Sequence, residues 1–301
     1  MGMCGLAIAW NRAEHFFTSG FCISSLILGL TTLTFLILLV VFTIKIARYP
    51  EEVLSELNHP VKHAFAPTFS ISFLLLSIAY LQINPDFSFW MWCIGSVIQL
   101  VLTFYVLSSW IHHDRYEILH LNPAWFIPVV GNLIIPIAGV KHAPIELSWF
   151  FFSLGLFFWP ILTSIIFYRL VFHSALPERL LPTLFIFIAP PAIGCIAWIT
   201  LTGEADSFSR FLYSVGLVFS LLLLSQLNRF RKIKFFLSWW AYSFPLAAMT
   251  IASFLLSAKV ESDIYRIIGF ILLTILTALI TLLIFKTLAA VKRGEICVPG
   301  H

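Results

Sequence analysis

The apolar residues of this chain fall in long runs separated by short polar connections. A helix that crosses the hydrocarbon of a bilayer needs roughly 17–25 predominantly apolar residues, and runs of that kind recur along the whole sequence. They predict spans at residues 17–44, 63–81, 89–111, 123–140, 147–170, 180–201, 208–227, 235–256 and 267–288, after a shorter run at 1–10. The pattern therefore predicts an all-α integral membrane protein of ten transmembrane helices. It reads as a single transmembrane domain over residues 1–301. The first run is the weakest of the ten. It is too short to cross unless its helix tilts, lies partly on the surface, or the natural chain begins upstream.

A second pattern is laid over the first. Prolines fall inside or near the start of every other run: Pro67, Pro128, the pair Pro190 and Pro191, and Pro245, at steps of 61, 62 and 55 residues. One further step back lands near Gly2 and Gly5, and glycine also weakens a helix. The chain thus reads as five helical hairpins, each with an interrupted helix and an uninterrupted partner. The partners carry no internal proline apart from Pro160. Proline removes a backbone donor and frees a carbonyl one turn earlier. In hydrocarbon an exposed polar group is costly, so the broken helices are expected inside, against protein or a water-filled cavity. This predicts an inner ring of odd spans and an outer ring of even ones.

Composition changes the picture by naming the solvent. Sixty per cent of the residues are apolar, 11% are charged and 31 are Phe, whereas a soluble chain carries roughly 25% charged residues. Lipid must therefore cover much of the surface. The net charge of +4 is small and its basic residues lie in short connections, which makes nucleic acid a poor partner. Thirteen Lys and Arg, among them Arg48, Arg115 and the cluster at 229–234, fall on one side of the predicted membrane. Five (Arg12, Lys141, Arg210, Lys259 and Arg266) fall on the other. Basic connections stay cytoplasmic, so the first side is inside, and an even number of spans puts both termini there. Cys4, Cys22, Cys93, Cys195 and Cys297 form no CxxC pair and read as thiols packed in apolar stretches. No basic segment precedes the apolar start, so no cleavable signal peptide is expected.

Candidate chemistry is sparse. No Asp, Glu, Lys, Arg or His occurs at 64–81, 125–140, 180–201 or 235–256, and His63 stands just outside the first of these. Ionisable groups inside a bilayer usually mark proton relays or substrate sites. Their absence removes an HExxH zinc site, an Asp dyad and any acid–base pair, so neither catalysis nor a cofactor is expected. The inner runs offer Thr68, Ser70, Ser72, Asn132, Gly194, Cys195, Ser243, Thr250 and Ser253. A path of this composition would meet ions through helix dipoles, freed backbone groups and hydroxyls. Each hydroxyl taken singly is better read as a packing residue, and the sign of the ion does not follow. His59, His63, His112, His113, His120 and His173 lie in the cytoplasmic connections. His112, His113 and Asp114 could suggest a metal site, but adjacent side chains diverge and no third ligand is placed, so they read as solvated loop histidines.

Four segments carry a resemblance: Gly-Met-Cys-Gly-Leu-Ala at 2–7, Glu-Leu-Asn-His-Pro-Val at 56–61, Ala-Pro-Pro-Ala at 189–192, and Trp-Trp-Ala-Tyr-Ser-Phe-Pro-Leu-Ala at 239–247. The last is the most specific. With the ten-span repeat they make the chain similar to the tellurite-resistance/dicarboxylate transporter family, which includes the TehA-like proteins and the slow anion channels of plant guard cells. The resemblance implies a homotrimer in the lipid bilayer, each protomer with its own pore inside a quasi-fivefold ring of kinked odd helices. Gly5, Pro67, Pro128, Pro190, Pro191 and Pro245 would then be the kinks lining that pore. It also implies that a phenylalanine just before the helix-breaking residue of the ninth helix closes the path, a position that matches Phe244 before Pro245. The implied function is a gated, passive channel for small inorganic or carboxylate anions, chloride or nitrate among them. The alternative is a coupled carrier for C4-dicarboxylates or for sulfite or tellurite oxyanions. A carrier usually needs a coupling ion at the midplane, and the lack of carboxylates there counts against it. The long hydrophilic termini of the plant channels are missing, which fits a bacterial inner-membrane protein.

Overall fold

The computed structural model describes residues 1–17, 22–112 and 116–295, and all regular structure among them is helical. Expectations resting on His113, Asp114, Arg115 and Cys297 lie outside the described residues. The first helix is Gly2–Glu14. Then follow Ile23–Arg48, Lys62–Tyr80, Pro85–His112, Pro123–His142, Ile145–Phe172, Glu178–Thr202, Ser207–Ser225, Leu237–Val260 and Asp263–Lys292, the second to the tenth. Those nine, among the described residues, are each long and apolar enough to cross a membrane. The chain is an integral membrane protein.

Burial separates the helices into two kinds. In the third, fifth, seventh and ninth, between 56% and 83% of the apolar segment is buried, against 11–33% in the even-numbered helices. The second helix is the extreme case, with Leu26, Leu30, Leu33 and Ile37 all pointing outward. Such a surface is untenable in water and neutral in lipid. Each odd helix packs on the even helix that follows it. The first also touches the third and the ninth, the fifth touches the third and the seventh, and the seventh touches the ninth.

Lipid tails give helices no hydrophobic reason to associate, so close approach has to supply the contact. Glycines provide it. A Cβ at Gly155 would lie 3.1 Å from the backbone N of Leu133, and one at Gly269 would lie 2.7 Å from Phe254 Cε1. The first marks a place where two helices touch nearly backbone to backbone, the second a slot filled by an aromatic ring.

The four buried odd helices after the first are not uniform α-helices. The third opens with a 3₁₀ turn at Lys62–Phe65 and becomes α only at Thr68, with Pro67 as its cap. The seventh is 3₁₀ over Glu178–Ile188 and α from Ala189, with Pro190 and Pro191 in its first turn. The ninth changes from 3₁₀ at Leu237–Tyr242 to α at Ser243, two residues before Pro245. The fifth alternates between 3₁₀ and α, with Pro128 in the short α piece Phe126–Val130 and a second 3₁₀ turn at Gly131–Ile134. By contrast the sixth runs unbroken for 28 residues through Pro160.

The first helix, weakest by length, is interior. Eight of its 13 residues are buried. At 1.5 Å per residue it is only about 20 Å long, yet the α portion of the third helix, Thr68–Tyr80, has the same 13 residues. It runs alongside the ninth in the same direction, with Gly2 facing Ser243 at one end and Phe16 against Phe254 at the other. Its short length is tolerated because protein, rather than lipid, surrounds it. The connection between the second and third helices holds a further short helix, Pro50–Asn58, where the Lys45–Glu56 ion pair at 2.5 Å ties it to the second.

Candidate functional site

Breaking a helix in the interior leaves carbonyls to satisfy, and in three of the broken helices a hydroxyl of the same helix does so. Thr68 Oγ1 donates to Phe65 O at 2.7 Å, Thr183 Oγ1 to Leu180 O at 2.6 Å and Ser243 Oγ to Trp240 O at 2.6 Å. All three reach back three residues, the spacing of the 3₁₀ turn they close. At the fifth helix the donors come from its neighbour. Pro128 O accepts from Gln99 Nε2 at 2.9 Å and from Thr103 Oγ1 at 2.7 Å. Asn132 Nδ2 completes the cluster, 2.9 Å from Thr103 Oγ1 and 2.8 Å from Val129 O. Ser70 Oγ, in the third helix, lies 2.6 Å from Gln99 Oε1. One buried amide on the fourth helix thus bridges the third and the fifth.

Phe244 is the second residue of the α segment of the ninth helix. Its neighbours Tyr242, Ser243 and Pro245 are buried while Phe244 is half-buried. Trp240 Nε1 anchors the turn before it, donating to Thr287 Oγ1 of the tenth helix at 3.0 Å. Across from it is Gly5 of the first helix: a Cβ there would stand 2.6 Å from Ala247 Cβ and 4.0 Å from Phe244 Cδ2. Gly5 lies inside a continuous α-helix, and its missing side chain makes room for the ninth helix beside Phe244. Pro67, Pro128 and the Pro190–Pro191 pair stand at the junctions of the third, fifth and seventh helices.

The hydroxyls that could have faced an ion are engaged with the backbone. Ser72 donates to Thr68 O, Thr250 to Leu246 O and Ser253 to Met249 O, at 2.7, 2.7 and 2.8 Å. Thr68, Ser70 and Ser243 likewise donate to backbone carbonyls. Among the described residues no cluster of His, Cys, Asp and Glu could hold a metal ion. His59, in the loop before the third helix, is held below the usual imidazole range by partial burial and then by Lys62, His120 and Arg179. Its Nδ1 accepts from the N–H groups of Val61 and Lys62, as a neutral ring can. Arg169, counted from sequence as a loop charge, is 1% exposed in the last turn of the sixth helix. The negative end of the helix dipole favours a cation there.

A cavity of about 260 Å³ opens where the C-terminal ends of the first, third, fifth and seventh helices meet. Ala7 and Ile8, Ala79, Ile137 and Thr200 line it, and its polar wall carries Asn11, Arg12, Gln82 and Lys141. Sequence reasoning counted Arg12 and Lys141 only as topology signals. Their convergence depends on which helix ends come together, and no local motif records that. Gln99 and Thr103 were missed for a related reason, because their helix is otherwise lipid-facing.

Residues 1–288 match the voltage-dependent anion channel family. An uncharacterized transporter of Methanocaldococcus jannaschii is 30% identical, the match covering 89% of this chain and 84% of that one. The guard-cell S-type anion channel SLAC1 of Arabidopsis thaliana is 26% identical, with 96% of this chain but only 54% of the plant protein covered. A tellurite resistance protein TehA homolog of Haemophilus influenzae is 21% identical over 98% of this chain and 89% of its own. The four short segments read from sequence therefore pointed to the right relatives.

Proposed function

The chain belongs to the voltage-dependent anion channel family, and we propose that it is a passive, gated channel for small inorganic anions in a prokaryotic plasma membrane. The five odd helices would form a quasi-fivefold ring around the ion path, each backed by its even partner. Support comes from the contacts that pass from the first helix to the third, fifth, seventh and ninth and back to the first. Support comes also from the burial of the odd helices and the exposure of the even ones.

Phe244 carries the reading. It sits in the first turn of an α segment whose neighbouring residues are buried, where the first and ninth helices approach closely, yet it is itself half-buried. A bulky apolar ring at this position can occlude a narrow path by size and by excluding water. Phe244→Ala should raise anion current severalfold in liposomes or oocytes. Unchanged or lower current from a folded, surface-expressed variant would sink the assignment of Phe244 as the gate.

The archaeal relative is named a transporter, and a coupled carrier is the second reading. Carrier flux would saturate and would run uphill when a proton gradient is imposed. A linear, gradient-indifferent anion flux decides for the channel.

A further inference from the structure

The backbone-bonded hydroxyls of the inner helices leave open what makes the path prefer anions. Most helix dipoles work against an anion at one of its ends. The first, third, fifth and seventh helices all present their C-termini to the 260 Å³ cavity, and each terminus carries partial negative charge. An anion approaching there meets four repulsive ends and one favourable one, the first turn of the second helix at Ser24 and Ser25. Two side chains oppose them: Arg12 in the last turn of the first helix and Lys141 in the last turn of the fifth. Both line the cavity and both are solvent-exposed.

Neither cation is ion-paired among the described residues. The cavity wall contains no Asp or Glu among the described residues, and neither Arg12 nor Lys141 forms a salt bridge among them. The nearest carboxylate, Glu14, is capped at the rim by Ser24 of the second helix, whose N–H donates to it at 2.8 Å and whose Oγ donates to its other oxygen. The remaining polar wall is Asn11 and Gln82, which supply amide donors, with Ser24, Ser25 and Thr200. A cleft with walls of low dielectric and charge of one sign raises the local concentration of counter-ions.

We infer that this cavity is an anion-collecting vestibule in which Arg12 and Lys141 hold a small, partly hydrated anion at the mouth of the path. The inference rests on the channel reading and adds to it the site that gives one mouth its preference. Cations in a last turn also stabilise their helices, and that role would appear in stability rather than in conduction.

The test is a comparison of the full-length wild type with Arg12→Gln, Lys141→Gln and the double variant, reconstituted in planar bilayers. At low ionic strength the double variant should lose anion current entering from the vestibule side by severalfold and so rectify. At about 1 M KCl, where the Debye length is ~3 Å, the difference should vanish. Arg12→Lys and Lys141→Arg should conduct like the wild type. A double variant with wild-type current at low salt, or a deficit that persists undiminished at high salt, overturns the inference. Line broadening of ³⁵Cl in NMR of the detergent-solubilised protein reads the same site without conduction. Broadening that the double variant removes supports the vestibule, and equal broadening in both overturns it. A wild type that binds chloride in this way but passes no current would overturn the channel reading alone.

Discussion

At the scale of single residues, Gly5 and Ala247 decide how closely the first and ninth helices approach. Carbon atoms rest at about 3.5–4.0 Å, whereas a methyl group on Gly5 would stand 2.6 Å from Ala247 Cβ. Gly5→Ala must therefore shift a helix, and overpacking of this kind destabilises by about 1–3 kcal/mol. The expected outcome is a lower melting temperature in detergent. Ala247→Gly added to it removes the atom that clashes, so the double variant should recover much of the loss despite the lower helix propensity of glycine. A double-mutant cycle without coupling would show that some other contact sets the spacing. Gly5 was visible in the sequence as one step of a repeat. What stands across from it was not, because a repeat locates a weak point in a helix and says nothing about the neighbour that needs it.

At the scale of elements, the fifth helix shows how a broken span is made tolerable inside a membrane protein. Its 3₁₀ turn at Gly131–Ile134 frees Pro128 O, and the fourth helix answers with two donors, Gln99 and Thr103. Removing one donor leaves the carbonyl partly satisfied. Removing both leaves only the long bond from Asn132 Nδ2 at 3.4 Å, and a buried group left so poorly satisfied costs up to about 1–3 kcal/mol. Gln99→Leu and Thr103→Val should each lower thermal stability modestly, by about 1 kcal/mol or less for an interhelical bond. Together they should lower it by more than the sum. Strict additivity in the melting curves would mean that the two donors do not share one acceptor. The positions of the proline breaks were legible because proline acts through local backbone chemistry. The repairs were not, since Gln99 and Thr103 sit in a 28-residue apolar helix that hydropathy reads as facing lipid. Only the packed neighbour reveals that this one polar stripe faces inward.

At the scale of the whole molecule, the two ends of the helix bundle differ in what they offer an ion. The N-terminal ends of the odd helices carry partial positive charge of their own, while the C-terminal ends depend on Arg12 and Lys141. Which end faces the cell follows from the basic residues, thirteen against five, and the smaller set includes both vestibule cations. We predict a cytoplasmic C-terminus: a fluorescent-protein fusion after residue 295 should fluoresce, and an alkaline phosphatase fusion there should be inactive. A phosphatase fused in the connection after His142, beside Lys141, should be active. The opposite pattern would overturn the orientation. It would also turn the vestibule toward the cytoplasm, so that neutralising Arg12 and Lys141 at low salt would suppress anion efflux where the orientation argued above has it suppress uptake. The fusion result therefore fixes in advance which half of the current–voltage curve the charge variants must change.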